Sequence, residues 1–138
     1  MKSDKIMQVL LVDDDALDRE LFADAILKTG IKVRLAEASD GAECLRLLQQ
    51  GAYKPDIIFL DLNMPIQDGR QTLLQIKSDK NLKSITVVIL STSNADFDVK
   101  QSYQAGANLF VSKPHDFHQL VEMLGFLLNL GSKYVSFP

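Results

Sequence analysis

VLLVDDD, residues 9–15, runs four apolar residues directly into three carboxylates. Four Val and Leu residues are too few for a buried helix and suit a strand covered on both faces, as in a parallel sheet. Three similar runs follow: IIFL at 57–60, VVIL at 87–90 and LFV at 109–111. VRLAEA at 33–38 alternates instead and predicts a fifth, more exposed strand.

Helical patterns fill the intervals. In 15–29, Leu17, Leu21 and Ala25 recur at i, i+4, with Gly30 as a stop. The stretch 40–50 places Gly41, Cys44, Leu45 and Leu48 on one side before Gly51, and 68–79 carries Leu73, Leu74, Ile76 and Lys77. The stretch 95–105 is mostly polar, with Val99 and Tyr103 as its larger apolar points. The clearest amphipathic stripe is Phe117, Leu120, Val121, Leu124, Leu127 and Leu128 within 116–130. Strict strand–helix alternation predicts right-handed crossovers and one parallel sheet covered on both faces. The expectation is one α/β domain over 1–138, with a core at about 7–130 and a tail at 131–138.

Composition narrows the function. The 138 residues are 46% hydrophobic, which excludes a disordered chain, and 15 Lys plus Arg against 18 Asp plus Glu leave a net charge of −3. That balance argues against a strongly basic nucleic-acid binder. A lone cysteine, Cys44, excludes an internal disulfide, and its helical position predicts a buried, inert thiol. The start MKSDKIMQ lacks the apolar stretch of a signal peptide, and no run is long enough to span a membrane. A cytoplasmic protein that binds neither nucleic acid nor membrane is expected.

Parallel α/β sheets bind ligands outside the carboxyl ends of their strands. Asp13, Asp14 and Asp15 follow the first run and Asp61 ends the third strand. Ser91, Thr92 and Ser93 follow the fourth, and Ser112 and Lys113 the fifth. Each has an ordinary reading alone: an acidic helix cap, a strand-end hydroxyl, a surface lysine, and for Phe110 core packing. Together they converge on one edge. Three carboxylates there raise one another's pKa or demand a cation. A hard ion such as Mg²⁺ takes one or two carboxylates and keeps positions for phosphate oxygens. Lys113 adds a mobile positive charge, Ser91 a hydroxyl donor, and one carboxylate can act as nucleophile. Pro65 and Gly69 are turn formers, with Gly69 allowing positive φ or a close approach. His115 and His118 lack further soft ligands, which argues against a metal site there.

These residues also carry a family resemblance. VDDD at 12–15, FLDLNMPIQDG at 59–69, ILSTS at 89–93 and NLFVSKP at 108–114 resemble, in order, the motifs of receiver domains of two-component response regulators. The intervals fit too, with 30 residues from Asp61 to Ser91 and 52 from Asp61 to Lys113. The resemblance spans about residues 7–130 and implies the chemotaxis-regulator type of flavodoxin-like (βα)5 sandwich, strand order 2-1-3-4-5. It implies that Asp61 accepts a phosphoryl group. It also implies that Asp14 and Asp61 ligate Mg²⁺, Asp14 directly, with Asp13 acting mainly through water and the Asn63 carbonyl as a further ligand. Ser91 binds the phosphoryl group, Phe110 is the aromatic switch, and Lys113 pairs with phosphoryl oxygens. The Lys113–Pro114 bond is often cis in this family.

Ser91 stands where many relatives have Thr, and Phe110 where Tyr is frequent, so the switch ring here has no hydroxyl. Asp15 is expected to cap the first helix. The implied protein is a stand-alone phosphoryl-receiving switch rather than an enzyme, with self-catalysed phosphotransfer and autodephosphorylation. Its donor is a histidine kinase or a histidine phosphotransfer protein. Its output surface, and a possible homodimer contact, lie on the fourth helix, fifth strand and fifth helix. An aspartyl-phosphate phosphatase would want an acid two residues after Asp61, where Asn63 stands. An FMN protein would want a Ser/Thr/Gly-rich loop where Asp13–Asp15 stand. A degenerate receiver would lack some of the groups present here. LSTSNADFDVKQSYQAGAN at 90–108 and the YVSFP ending resemble small regulators paired with phytochrome-type light-sensing kinases.

Overall fold

The computed structural model describes residues 6–51, 53–64 and 69–130. Pro65 and the tail at 131–138 lie outside the described residues. Strands and helices alternate: β1 (Met7–Val12), α1 (Ala16–Thr29), β2 (Val33–Ala38), α2 (Gly41–Gln49), β3 (Ile57–Asp61), α3 (Gly69–Ser78), β4 (Thr86–Ser91), α4 (Asp96–Gln104), β5 (Leu109–Ser112) and α5 (Phe117–Asn129). All strand pairs are parallel, in the expected order β2-β1-β3-β4-β5.

The alternation of side chains along each strand makes two cores. Leu10, Val12, Ile58, Leu60, Val87 and Ile89 face one way, against Cys44 and Leu48 of α2 and Leu73 and Ile76 of α3. Val9, Leu11, Ile57, Phe59, Val88 and Leu90 face the other way, against Phe22, Ala25 and Ile26 of α1 and Leu124, Leu127 and Leu128 of α5. The rings of Phe22 and Phe59 meet edge-on, 5.1 Å between centroids. Burial pushes the Cys44 thiol up to about 12, in keeping with an inert side chain.

Three expectations need correction. Leu17 and Leu21 are not core residues: they are 61% and 38% exposed, while Ala25 of the same expected stripe is buried together with Phe22 and Ile26. A 3.6-residue period locates a stripe, but the Phe22–Phe59 contact decides which of two adjacent rows meets the sheet. β5 is not covered on both sides either. It is an edge strand, and its Leu109 is 40% exposed. Finally, every peptide bond among the described residues is trans, Lys113–Pro114 included. The X–Pro amide itself favours trans by about 0.5–1 kcal/mol.

Helix ends are set locally. Asp15 caps α1, its carboxylate accepting from the N–H groups of Leu17 and Asp18 at 2.9 and 3.1 Å. Gly30 ends that helix at φ 73°, a conformation that costs glycine little. Gly69 starts α3 by close approach rather than by positive φ. A Cβ there would lie 2.8 Å from Leu62 Cα and closer still to the Asp61 carbonyl oxygen.

Candidate phosphoryl-accepting site

Parallel strands in register bring their C-terminal residues to one edge. Val12 pairs with Leu60, Leu60 with Ile89 and Ser91 with Ser112, so Asp13, Asp61, Ser91 and Lys113 emerge together. Asp13 and Asp61 are each 3% exposed, Ser91 is fully buried, and Asp14 is exposed. One carboxylate oxygen from each of Asp13, Asp14 and Asp61 lies within 4.8 Å of the others. Among the described residues these form the one cluster of three or more potential metal ligands. All-oxygen donors at that spacing, two of them buried, fit a hard divalent cation.

Lys113 reaches into the cluster. Its Nζ lies 3.4 Å from Asp13 Oδ2, 3.4 Å from Asp61 Oδ2 and 3.5 Å from Asp18 Oδ2. Burial opposes the ammonium charge, yet Asp61, Asp13 and Asp18 together outweigh it and hold the Lys113 pKa above its ordinary value. Asp13 shows the opposite balance. Burial raises its pKa despite the Asp15 N–H that donates to Oδ1 at 2.9 Å and the nearby ammonium. Arg19 steadies the same turn, donating to the Asp13 carbonyl at 2.7 Å and pairing with Glu37 at 3.2 Å.

The hydroxyl side is organised by Asn63. Its N–H donates to Asp61 Oδ1 at 3.0 Å. Its side-chain oxygen accepts from Ser91 Oγ at 3.2 Å, and from the Thr92 N–H and hydroxyl at 3.3 and 3.4 Å. Ser91 Oγ in turn accepts from the Ser93 N–H at 3.0 Å. Phe110 is half-buried in β5 and packs against the core that holds Ile89 and Ala105.

The structure thus brings together Asp13, Asp14, Asp61, Asn63, Ser91 and Lys113, with Phe110 two residues before Ser112 at the site end of β5. Sequence reading missed Asp18, although its place four residues after Asp14 on the first turn of a helix was a usable signal. It also missed the Asn63 side chain as an acceptor for Ser91. His118 is exposed and pairs with Glu122 at 3.7 Å, while His115 lines a cavity of about 200 Å³ beside Lys113, Phe22 and Phe117. Neither histidine joins the carboxylate cluster.

Buried paired carboxylates, a lysine and a hydroxyl thus meet at the C-terminal edge of a five-stranded parallel sheet. The response regulator receiver domain model matches residues 9–125, and the chain belongs to that family. It is 34% identical over 135 residues to response regulator Rcp1 of Synechocystis sp., covering 94% of this chain and 92% of that protein. The fold matches the Mn²⁺-bound form of Rcp1 with a TM-score of 0.85 at 32% identity, over 96% of this chain and 99% of that one. It matches the phosphorylated cyanobacterial phytochrome response regulator RcpA with a TM-score of 0.89 at 32% identity, over 97% and 99%. Among the described residues no helix is long and apolar enough to cross a membrane.

Proposed function

We propose that Asp61 accepts a phosphoryl group from a phosphohistidine donor and that the acyl phosphate switches a protein-interaction surface. The observation that carries this is the meeting of Lys113 Nζ with Asp61 Oδ2 at 3.4 Å, inside a cluster of three carboxylates. A carboxylate oxygen of Asp61 attacks phosphorus, the P–N bond breaks, and its electron pair returns to the imidazole nitrogen of the donor. Lys113 draws negative charge from the phosphoryl oxygens, and the Ser91 hydroxyl turns from Asn63 to donate to one of them. Asp13, Asp14, Asp61 and the Asn63 carbonyl would hold Mg²⁺, which would offset the charge of carboxylates and phosphoryl group. Hydrolysis of the acyl phosphate by water resets the site.

The donor is a sensor histidine kinase or a histidine phosphotransfer protein. Likeness to a phytochrome response regulator supports a light-sensing kinase of phytochrome type. The output surface is the α4–β5–α5 face, which also serves a homodimer, and the protein works in the cytoplasm. Intact mass after incubation with acetyl phosphate tests the chemistry. A gain of one phosphoryl group is expected with Mg²⁺, with none in EDTA and none in Asp61→Asn. Undiminished labelling of Asp61→Asn would remove Asp61 as the acceptor.

A further inference from the structure

Phe110 occupies the switch position without a hydroxyl, but a phenol reaches it from another element. The Phe110 N–H donates to Tyr103 Oη at 3.0 Å. Tyr103 is in the last turn of α4, seven residues before Phe110. Lys113 N–H donates to Ser91 O at 2.8 Å, toward β4, so strand alternation turns the Phe110 N–H to the open edge of the sheet. An edge strand leaves such donors to water unless a side chain covers them. Here one does.

The other end of α4 is tied to the loop after β4. Ser93 Oγ donates to Asp98 Oδ2 at 2.6 Å, and Arg70 Nη2 holds Asp98 Oδ1 at 3.3 Å. Ser93 also donates its N–H to Ser91 Oγ. The first turn of α4 therefore rides on the segment that Ser91 moves, while its last turn is fastened to β5 beside the switch ring.

We propose that Tyr103 is a positioning residue of the switch. Its hydroxyl pins the C-terminal end of α4 to Phe110 and holds the resting arrangement, in which Ser91 is bound to Asn63. This rests on the reading of Asp61 as phosphoacceptor. When Ser91 turns to a phosphoryl oxygen, Ser93 and Asp98 follow, and α4 pivots away from the Tyr103–Phe110 bond. A contact made in only one of two states shifts their ratio by its own free energy. For one neutral, exposed hydrogen bond that is about two- to tenfold, toward the lower end.

Tyr103→Phe in the full chain removes the hydroxyl and keeps the ring. In the metal-free protein, amide exchange at Phe110 is expected to accelerate, with Ile89 and Val111 unchanged. With Mg²⁺ present, the beryllofluoride concentration needed for half-response is expected to fall about threefold, to the same end point. Unchanged exchange at Phe110, or a half-response that is unchanged or raised, would overturn the proposal. Equal acceleration at all three amides would also overturn it, by making Tyr103 a packing residue only. A wild-type chain that takes up neither beryllofluoride nor phosphoryl group would defeat the Asp61 reading and the switch role with it. The Phe110 amide would then still tell whether the pin exists.

Discussion

Lys113 Nζ stands 3.4 Å from Asp61 Oδ2, joining the ends of β3 and β5 across the intervening β4. The same ammonium serves Asp13 and Asp18, so one mobile cation neutralises part of three carboxylates from two separate segments.

Lys113→Ala leaves two carboxylates, each with a side chain 4% exposed, without their cation. The metal-free variant is expected to lose on the order of 1–3 kcal/mol of stability in urea unfolding. Divalent-cation binding is expected to persist, while the phosphoryl-dependent change at the α4–β5 surface is lost. An unaltered surface response, followed by amide chemical shifts, would remove Lys113 from the switch.

Asp14 is the exposed member of the cluster, and its removal disturbs the core least. Asp14→Ala is expected to weaken Mg²⁺ binding by at least about tenfold, since losing even a supporting outer group costs a metal site about that much or more. It also relieves repulsion, so the metal-free variant should be no less stable than the wild type. A Mg²⁺ titration identical to wild type would exclude Asp14 as a ligand.

Asp13 gives a signed pH dependence. Its folded pKa is raised above the ordinary 3.8, chiefly by burial, so the folded state binds more protons than the unfolded state just above that pH. Its contribution to stability is full below 3.8 and is lost as pH rises through the folded pKa. In EDTA, the wild type should therefore lose more stability across this window than Asp13→Asn, measured by urea unfolding at several pH values. Parallel profiles would show that Asp13 is not destabilised by burial.

Gly69 couples the backbone of α3 to that of Asp61. A Cβ there would press on Leu62 Cα and the Asp61 carbonyl. Gly69→Ala is expected to cost about 1–3 kcal/mol, as overpacking does, and to slow phosphorylation of Asp61 by acetyl phosphate. Wild-type stability together with a wild-type rate would show that the turn has room to spare.

Much of this was legible in the residues themselves. The central strands declared themselves as short apolar runs because a strand covered on both faces needs no polar side chains, and β2 by alternation because it sits at an edge. The candidate site groups were legible because each ends its strand or follows it directly, and parallel strands in register deliver those positions to one edge. Asp15 was readable as a cap, since that interaction spans only two or three residues.

What only tertiary structure decided were relations between segments far apart in the chain. Local periodicity offered Leu17 and Leu21 as core, and the packing of Phe22 on Phe59 chose the adjacent row. The run LFV at 109–111 read like the buried strands, but the count of neighbours belongs to the sheet and made β5 an edge. Asp18 on Lys113, Ser91 on Asn63 and the Phe110 N–H on Tyr103 depend on how α1, the loops and α4 settle against that sheet. Sequence by itself determined the elements and the chemical groups at their ends, because those rest on nearest-neighbour physics. The partners of those groups were decided by packing, because a hydrogen bond or ion pair of about 3 Å depends on three-dimensional distance rather than on separation along the chain.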